Sequence, residues 1–334
     1  SNGLGSDLFA LIWSPQDKAL HGLNSSGRSP QAWTPDTFKG MDSVPMRGWM
    51  SVSVPGAIAG WVALSKRYGK LPFADLLAPA IDIAERGYMV TPIIASQWAR
   101  AVPILQIQPG YAEHFMPHGR APLPGELFRN PAQAESLRLI AESEGESFYR
   151  GQLAARIVAH AKAHGGLMTG IDLAAHVADW VEPIRMGYRG YEVAEIPPNG
   201  QGIAALMALG MLDDFDLKAL GPNHPDYWHL SIEAMKLAFR DVHAQVADPE
   251  YMNVSASAML DRDFLKSRAK LIDLKRAQDF SPSAELRGGT VYLNAADESG
   301  LMVSLIQSNY YGFGSGVVVD GISLQNRAYG FTLD

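Results

Sequence analysis

The chain has 334 residues, 47% of them apolar, with a formal charge of −7 and an isoelectric point near 5.7. That is enough apolar material for one or two domains with a large core. The mild acidity, without a basic stripe, argues against a nucleic-acid partner, and no apolar run approaches the length of a membrane span. The absence of cysteine removes a thiol nucleophile, disulfides and thiolate metal sites, and it leaves the compartment open, periplasmic, secreted or cytoplasmic.

Ser1-Asn2-Gly3-Leu4-Gly5-Ser6 leads at once into apolar sequence, so no signal peptide is visible, and the chain stops abruptly after Gly330-Phe331-Thr332-Leu333. Both ends read as cut from something longer. Residues 7–13 form a buried strand, 14–18 a turn, and a second strand runs to Leu23. Residues 24–54, rich in Ser, Gly and Pro, are loop. Helical segments fill 56–86, residues 103–130 wrap the surface, and helices resume over 131–164. Tyr191–Ile196 is a strand ended by Pro197-Pro198-Asn199-Gly200. A helix spans 229–246, with Ile232, Met235, Phe239, Val242 and Val246 on its apolar face. Strands 290–296 and 301–308 flank Asp297-Glu298-Ser299-Gly300 as a hairpin. Helices with antiparallel hairpins indicate a layered α/β or α+β domain.

Most of the candidate chemistry reduces to structure. His160 and His164 have metal-pair spacing, but Ala-Lys-Ala between them lacks the glutamate of a zinc protease, so they read as solvated helix histidines. His224, Asp226 and His229 cluster at a helix start, where Asp226 is a helix-start residue. Gly312-Phe313-Gly314-Ser315-Gly316 follows a strand without opening an amphipathic helix, so it reads as a tight turn near a site rather than a phosphate cradle. No Gly-x-Ser-x-Gly elbow is present. Arg28, in Ser25-Ser26-Gly27-Arg28-Ser29-Pro30, is either a surface arginine or a fork for a substrate carboxylate. Thr290, after Gly288-Gly289, is by itself a residue opening a strand. If the bond before it were cut, its α-amine, with a pKa of about 8, could serve as base for its own hydroxyl.

Several stretches together resemble the γ-glutamyltranspeptidase family of N-terminal-nucleophile hydrolases. They are Ser53-Val54-Pro55-Gly56-Ala57-Ile58-Ala59-Gly60-Trp61, Tyr68-Gly69-Lys70-Leu71-Pro72, Leu77-Ala78-Pro79-Ala80-Ile81 and Ala84-Glu85-Arg86-Gly87-Tyr88. Further on come Pro197-Pro198-Asn199-Gly200-Gln201-Gly202, Glu233-Ala234-Met235-Lys236-Leu237-Ala238-Phe239, Gly289-Thr290-Val291-Tyr292 with Asp297 and Gly300, the 312–316 glycine run, and Leu324-Gln325-Asn326-Arg327. The resemblance implies an α+β fold, the four-layer αββα sandwich, incomplete at both chain ends. It also implies self-cleavage between Gly289 and Thr290, giving a large-subunit portion 1–289 and the start of a small subunit, 290–334, within one intertwined domain. Thr290 would be the nucleophile. Ser308 would be the hydroxyl residue near its amine, Arg28 the grip on the substrate's carboxylate, and Asn326 and Arg327 substrate-side residues. No metal or organic cofactor is implied.

The departures concern the substrate. Family members read Thr-Thr-His where this chain has Thr290-Val291-Tyr292. They follow the glycine-bearing strand with an acid that holds the γ-glutamyl ammonium; at that position stands Gly330, with Arg327 nearby. The paired glycines of the family's oxyanion hole are expected beyond Asp334. The expectation is a self-processing threonine amide hydrolase or acyltransferase acting on γ-glutamyl or related acyl amides, small molecules or peptides, through an acyl-enzyme. The alternatives are a glutaryl- or cephalosporin-type acylase, and a non-catalytic binding protein that keeps the fold.

Overall fold

The computed structural model describes residues 2–280 and 290–333. Its main sheet has five antiparallel strands in the order Asp179–Val181, Ala19–Ser25, Asp7–Ser14, Met302–Ser308, Val291–Ala296. Both expected hairpins are present. The later one turns on Asp297, whose carboxylate accepts from the Ser299 and Leu301 amides at 2.9 and 3.3 Å. The central pairing, Asp7–Ser14 against Met302–Ser308, joins the two hairpins from opposite ends of the sequence.

Alternation along the strands gives the sheet two different faces. Leu8, Ala10, Ile12 and Leu23, with Val303 and Leu305, pack beneath the helix Ala57–Tyr68 through Ala57, Trp61 and Leu64. That helix starts where the Gly56 and Ala57 amides both donate to the Ser6 carbonyl at 2.9 Å, which satisfies two of its otherwise unpaired N-terminal N–H groups. It ends at Gly69, with Lys66 and Arg67 in the last turn, where cations suit the helix dipole. On the other face Trp13, Tyr292, Met302 and Ile306 are exposed.

The helices form two packed bodies. In one, Ala57–Tyr68 and Phe73–Arg86 pack with Pro131–Glu142 and Gln152–Ala163 around Ile58, Leu137, Ile140, Phe148 and Ile157. In the other, Ile203–Leu212 lies against Pro225–Gln245 and Arg262–Ala269. The long helix corrects the expected apolar face. Leu230, Ala234, Leu237, Ala238 and Val242 are buried, while Ile232 and Met235 are exposed. The small Ala234 and Ala238 let the neighbouring helix approach closely, and a pattern built on large side chains misses them. Residues 103–130 are also more than a surface wrap. Tyr111, Phe115 and Phe128 are buried with Trp98, and Phe313 packs against them. Aromatic contacts, not periodicity, hold this segment. Among the described residues, no helix is long and apolar enough to cross a membrane.

His176 is partly buried against Tyr149, with ring centroids 5.3 Å apart, and burial pushes its pKa from 6.5 down to about 4. A folded value below the unfolded one means that the unfolded chain takes up the proton first as pH falls. The contribution is therefore intact above about 6.5 and is lost as pH falls toward 4. His176→Phe should keep the packing and flatten the pH dependence of the urea midpoint in that window. An unchanged slope would show that other groups govern acid stability.

Candidate active site

The register of the sheet gathers residues from three parts of the sequence at one end. Val291 pairs with Gln307, Ser308 with Asp7, and Leu8 with Ser25. One step along that register, Thr290, Ser308, Asp7 and Ser26 form a row across four chains of backbone. Because opposed residues share a face, this row lies on the side away from the Ala57–Tyr68 helix. Thr290 is exposed, and its hydroxyl donates to the Ser308 hydroxyl at 3.2 Å, long for such a bond. Gly289, named with Thr290 as the processing position, lies outside the described residues.

Ser308 itself is 4% exposed. Its Oγ also accepts from the Tyr310 amide at 2.9 Å, a turn in which a side-chain oxygen stands in for a backbone carbonyl. Tyr310 has φ 76°, in the left-handed region, where a non-glycine residue costs about 1–3 kcal/mol. The Arg327 guanidinium sits 4.6 Å from its ring centroid, and the Tyr311 ring packs edge-on at 4.8 Å.

Arg327 is held by a residue that the motifs do not point to. Its Nε and Nη2 donate to the two carboxylate oxygens of Asp7 at 2.8 and 3.0 Å, a fork that matches both groups in shape. Asp7 is 2% exposed and the Arg327 side chain 34%. The two meet because Leu324 bridges Gly5 and the Gln325 amide donates to the Gly5 carbonyl, which lays the Gln325-Asn326-Arg327 segment beside residues 5–7. The one available sequence signal for Asp7 is a lone acid at the start of an apolar strand.

Asn326 is fully buried and its amide is committed to backbone. Its Oδ1 accepts from the Tyr311 amide at 3.1 Å and its Nδ2 donates to the Met46 carbonyl at 2.9 Å. The glycine run 312–316 is a tight turn pinned from two sides. Phe313, at φ 59°, inserts into the aromatic cluster, and Arg47 donates to the Gly312 and Gly314 carbonyls.

Arg28 lies three residues beyond the strand Ala19–Ser25, which pairs with Asp7–Ser14. Its loop approaches residues 53–56 backbone to backbone. A Cβ on Gly27 would lie 1.7 Å from the Val54 carbonyl oxygen, so only glycine fits there, and the Val54 amide donates to the Arg28 carbonyl at 3.0 Å. Asn199, in the Pro-Pro-Asn-Gly motif, accepts from Asn24 at 2.8 Å and donates to Ser26 at 3.1 Å. The Arg28 side chain is 72% exposed and contacts Asp248 at 3.3 Å and Glu250 at 4.0 Å. Gly330 is exposed, at the end of the short turn Arg327–Gly330 in which Ala328 is buried.

The histidines lie elsewhere. His160 and His164 stack on one helix at 4.2 Å, and His160 accepts from the Trp49 indole at 3.3 Å. His224 caps the Pro225–Gln245 helix by accepting from the Asp226 amide at 3.2 Å, while His229 contacts the Asp273 carbonyl at 2.8 Å.

Known proteins resemble this chain in sequence and fold. The glutathione hydrolase-like YwrD proenzyme of Bacillus subtilis (strain 168) is 38% identical over 335 residues, covering 99% of this chain and 63% of the relative. The oxamate amidohydrolase proenzyme of Klebsiella pneumoniae is 36% identical, with 100% and 64% covered. The crystal structure of cephalosporin acylase from Bacillus halodurans matches with a TM-score of 0.93 and 47% identity over 100% of this chain and 63% of that one. The γ-glutamyltranspeptidase of Helicobacter pylori matches at 0.79 and 26%, over 83% of this chain. The chain thus spans less than two thirds of the length of the first three. The fold is the α+β fold of the N-terminal-nucleophile hydrolases. With the family model for gamma-glutamyltranspeptidase matching residues 1–333, the chain belongs to the γ-glutamyltranspeptidase family.

Proposed function

We propose that this chain is the nucleophile-bearing portion of a self-processing amide hydrolase or acyltransferase, with Thr290 as nucleophile. The observation that carries the reading is the Thr290 hydroxyl donating to Ser308 at one end of the sheet. In processing, Thr290 Oγ attacks the Gly289 carbonyl carbon, an ester replaces the amide, and water cleaves the ester. The products are a large subunit ending at Gly289 and a small one beginning with the Thr290 amine. In turnover, that amine takes the hydroxyl proton as Oγ attacks the substrate carbonyl. The proton passes to the leaving amine as the C–N bond breaks. Water or an amino compound then resolves the acyl-threonine ester. With Thr290 and the Tyr310 amide both donating to Ser308 Oγ, the Ser308 proton is left to point at a third group, and the freed amine is suited to receive it.

Arg28 is the proposed carboxylate grip. Its exposed, loosely held guanidinium can exchange Asp248 for a substrate carboxylate. The acyl group is proposed to be neutral or anionic, as in an acylase, rather than γ-glutamyl. An ammonium in a semi-buried site needs a carboxylate partner. Gly330 supplies none, and both oxygens of Asp7 are engaged by Arg327.

Incubated full-length protein should yield a fragment beginning at Thr290 by intact mass, and Thr290→Ala should abolish both this cleavage and amide hydrolysis while Thr290→Ser keeps part of each. A folded chain that stays whole for days would favour a non-catalytic binding protein. Turnover by a verified Thr290→Ala preparation would require another nucleophile. Arg28→Ala and Arg28→Lys should raise KM roughly 10- to 100-fold with processing intact, the ~1.5–3 kcal/mol of a charged hydrogen bond. Unchanged kinetics would make Arg28 a surface residue. Between γ-glutamyl and glutaryl anilides, the processed enzyme should prefer the γ-glutamyl compound by less than about tenfold in kcat/KM, roughly 1.4 kcal/mol. A larger preference would show that the ammonium is read.

A further inference from the structure

Resting on the reading of Thr290 as nucleophile, we infer that Asp7 and Arg327 are positioning residues that aim the Thr290 hydroxyl through Tyr310 and Ser308. Ser308 Oγ is the acceptor that orients Thr290, and it is itself fixed by the Tyr310 amide at 2.9 Å. That amide faces Ser308 with Tyr310 at φ 76°, a conformation that a bulky side chain resists. The turn therefore needs holding from outside. The Tyr310 ring is held by the Arg327 guanidinium at 4.6 Å and by Tyr311 at 4.8 Å. The guanidinium keeps its orientation over the ring because its fork is locked on Asp7. Asp7 is in turn the strand partner of Ser308. The circuit closes: the backbone of residue 7 pairs with Ser308 in the sheet, and the Asp7 carboxylate reaches Ser308 a second way, through Arg327 and Tyr310.

The partners also explain why the pair is an arginine and an aspartate. Two of the fork's nitrogens are used on the carboxylate while its central carbon sits over a ring, which a lysine ammonium cannot do at once. No member of the pair needs to touch the substrate for this role. Its signature is accordingly a loss in kcat rather than in KM.

The test is a double-mutant cycle on the full-length, processed enzyme with one anilide substrate. Asp7→Asn, nearly isosteric, and Arg327→Lys should each lower kcat tenfold or more and leave KM within about threefold. Incubated as the unprocessed full-length chain, each variant should also release the Thr290 fragment more slowly. In a Ser308→Ala background the further loss from Asp7→Asn should shrink to less than about threefold, because the effect runs through the Ser308 hydroxyl. Folding is checked by thermal melting, and if Asp7→Asn does not fold, the same cycle is run with Arg327→Lys. An unchanged kcat in a folded variant, or the same loss with and without the Ser308 hydroxyl, would overturn the assignment. Thr290→Ala separates the two ideas. If it retains activity, the nucleophile reading fails as well; if it is inactive while the cycle is additive, only the positioning role fails.

Discussion

The pairing of the Asp7–Ser14 strand with the Met302–Ser308 strand is the constraint on which the site depends. It sets Asp7 opposite Ser308 and leaves Thr290 at the start of the adjacent edge strand. Side chains alternate along a strand, so a slip of one residue would turn each of these groups to the opposite face. Apolar burial fixes the register, more than any polar contact. Leu8 and Ile12 are completely buried, and each is worth about 1.5–3 kcal/mol against exposure. A typical hydrogen bond contributes only about 1 kcal/mol net. The core thus decides where the hydroxyls meet, and the hydrogen bonds between them refine a geometry already set.

The two arginines near the site differ in how firmly they are held, and the difference follows from burial. Arg28 meets Asp248 and Glu250 at the surface, at 3.3 and 4.0 Å. An exposed pair of that kind is worth about 0–1 kcal/mol, so an incoming anion can displace it. Arg327 is forked onto an acid that is 2% exposed. Removing one partner of a buried pair leaves the other charge without compensation, which costs about 3–5 kcal/mol when both are fully buried. The penalty is smaller here because the arginine is about a third exposed. One guanidinium is therefore exchangeable and the other is part of the frame.

Close backbone contact completes the frame. Gly27 and Gly56 let the Arg28 loop and the entry to the Ala57–Tyr68 helix lie against each other, where a Cβ would fall 1.7 Å from Val54 O and 2.0 Å from Ser25 O. The Ser6 carbonyl caps that helix one residue before Asp7. Helix, loop and first strand are consequently fixed as one unit beside the Thr290–Ser308 pair.

Much of this could be read along the chain. The two hairpins, the helices after Gly56 and before Gln245, and the family likeness at Gly289-Thr290 are local patterns, because turn chemistry and periodicity act over a few residues. The helix Ile203–Leu212 was not legible, since burial on nearly every side leaves it no amphipathic period. The face of the Pro225–Gln245 helix was misread because alanines form its contact. The sequence marks Arg327 as a substrate-side charge near Gly330, and Asp7 only as a lone acid opening an apolar strand, with nothing to join the two. Their meeting depends on strand order and on Gln325 lying beside Gly5, which no local pattern encodes. Local sequence sets which elements form and which residue types are available for chemistry. Tertiary structure decided which of them share a face and which charge neutralises which, because those relations arise only when the two ends of the chain pair across one sheet.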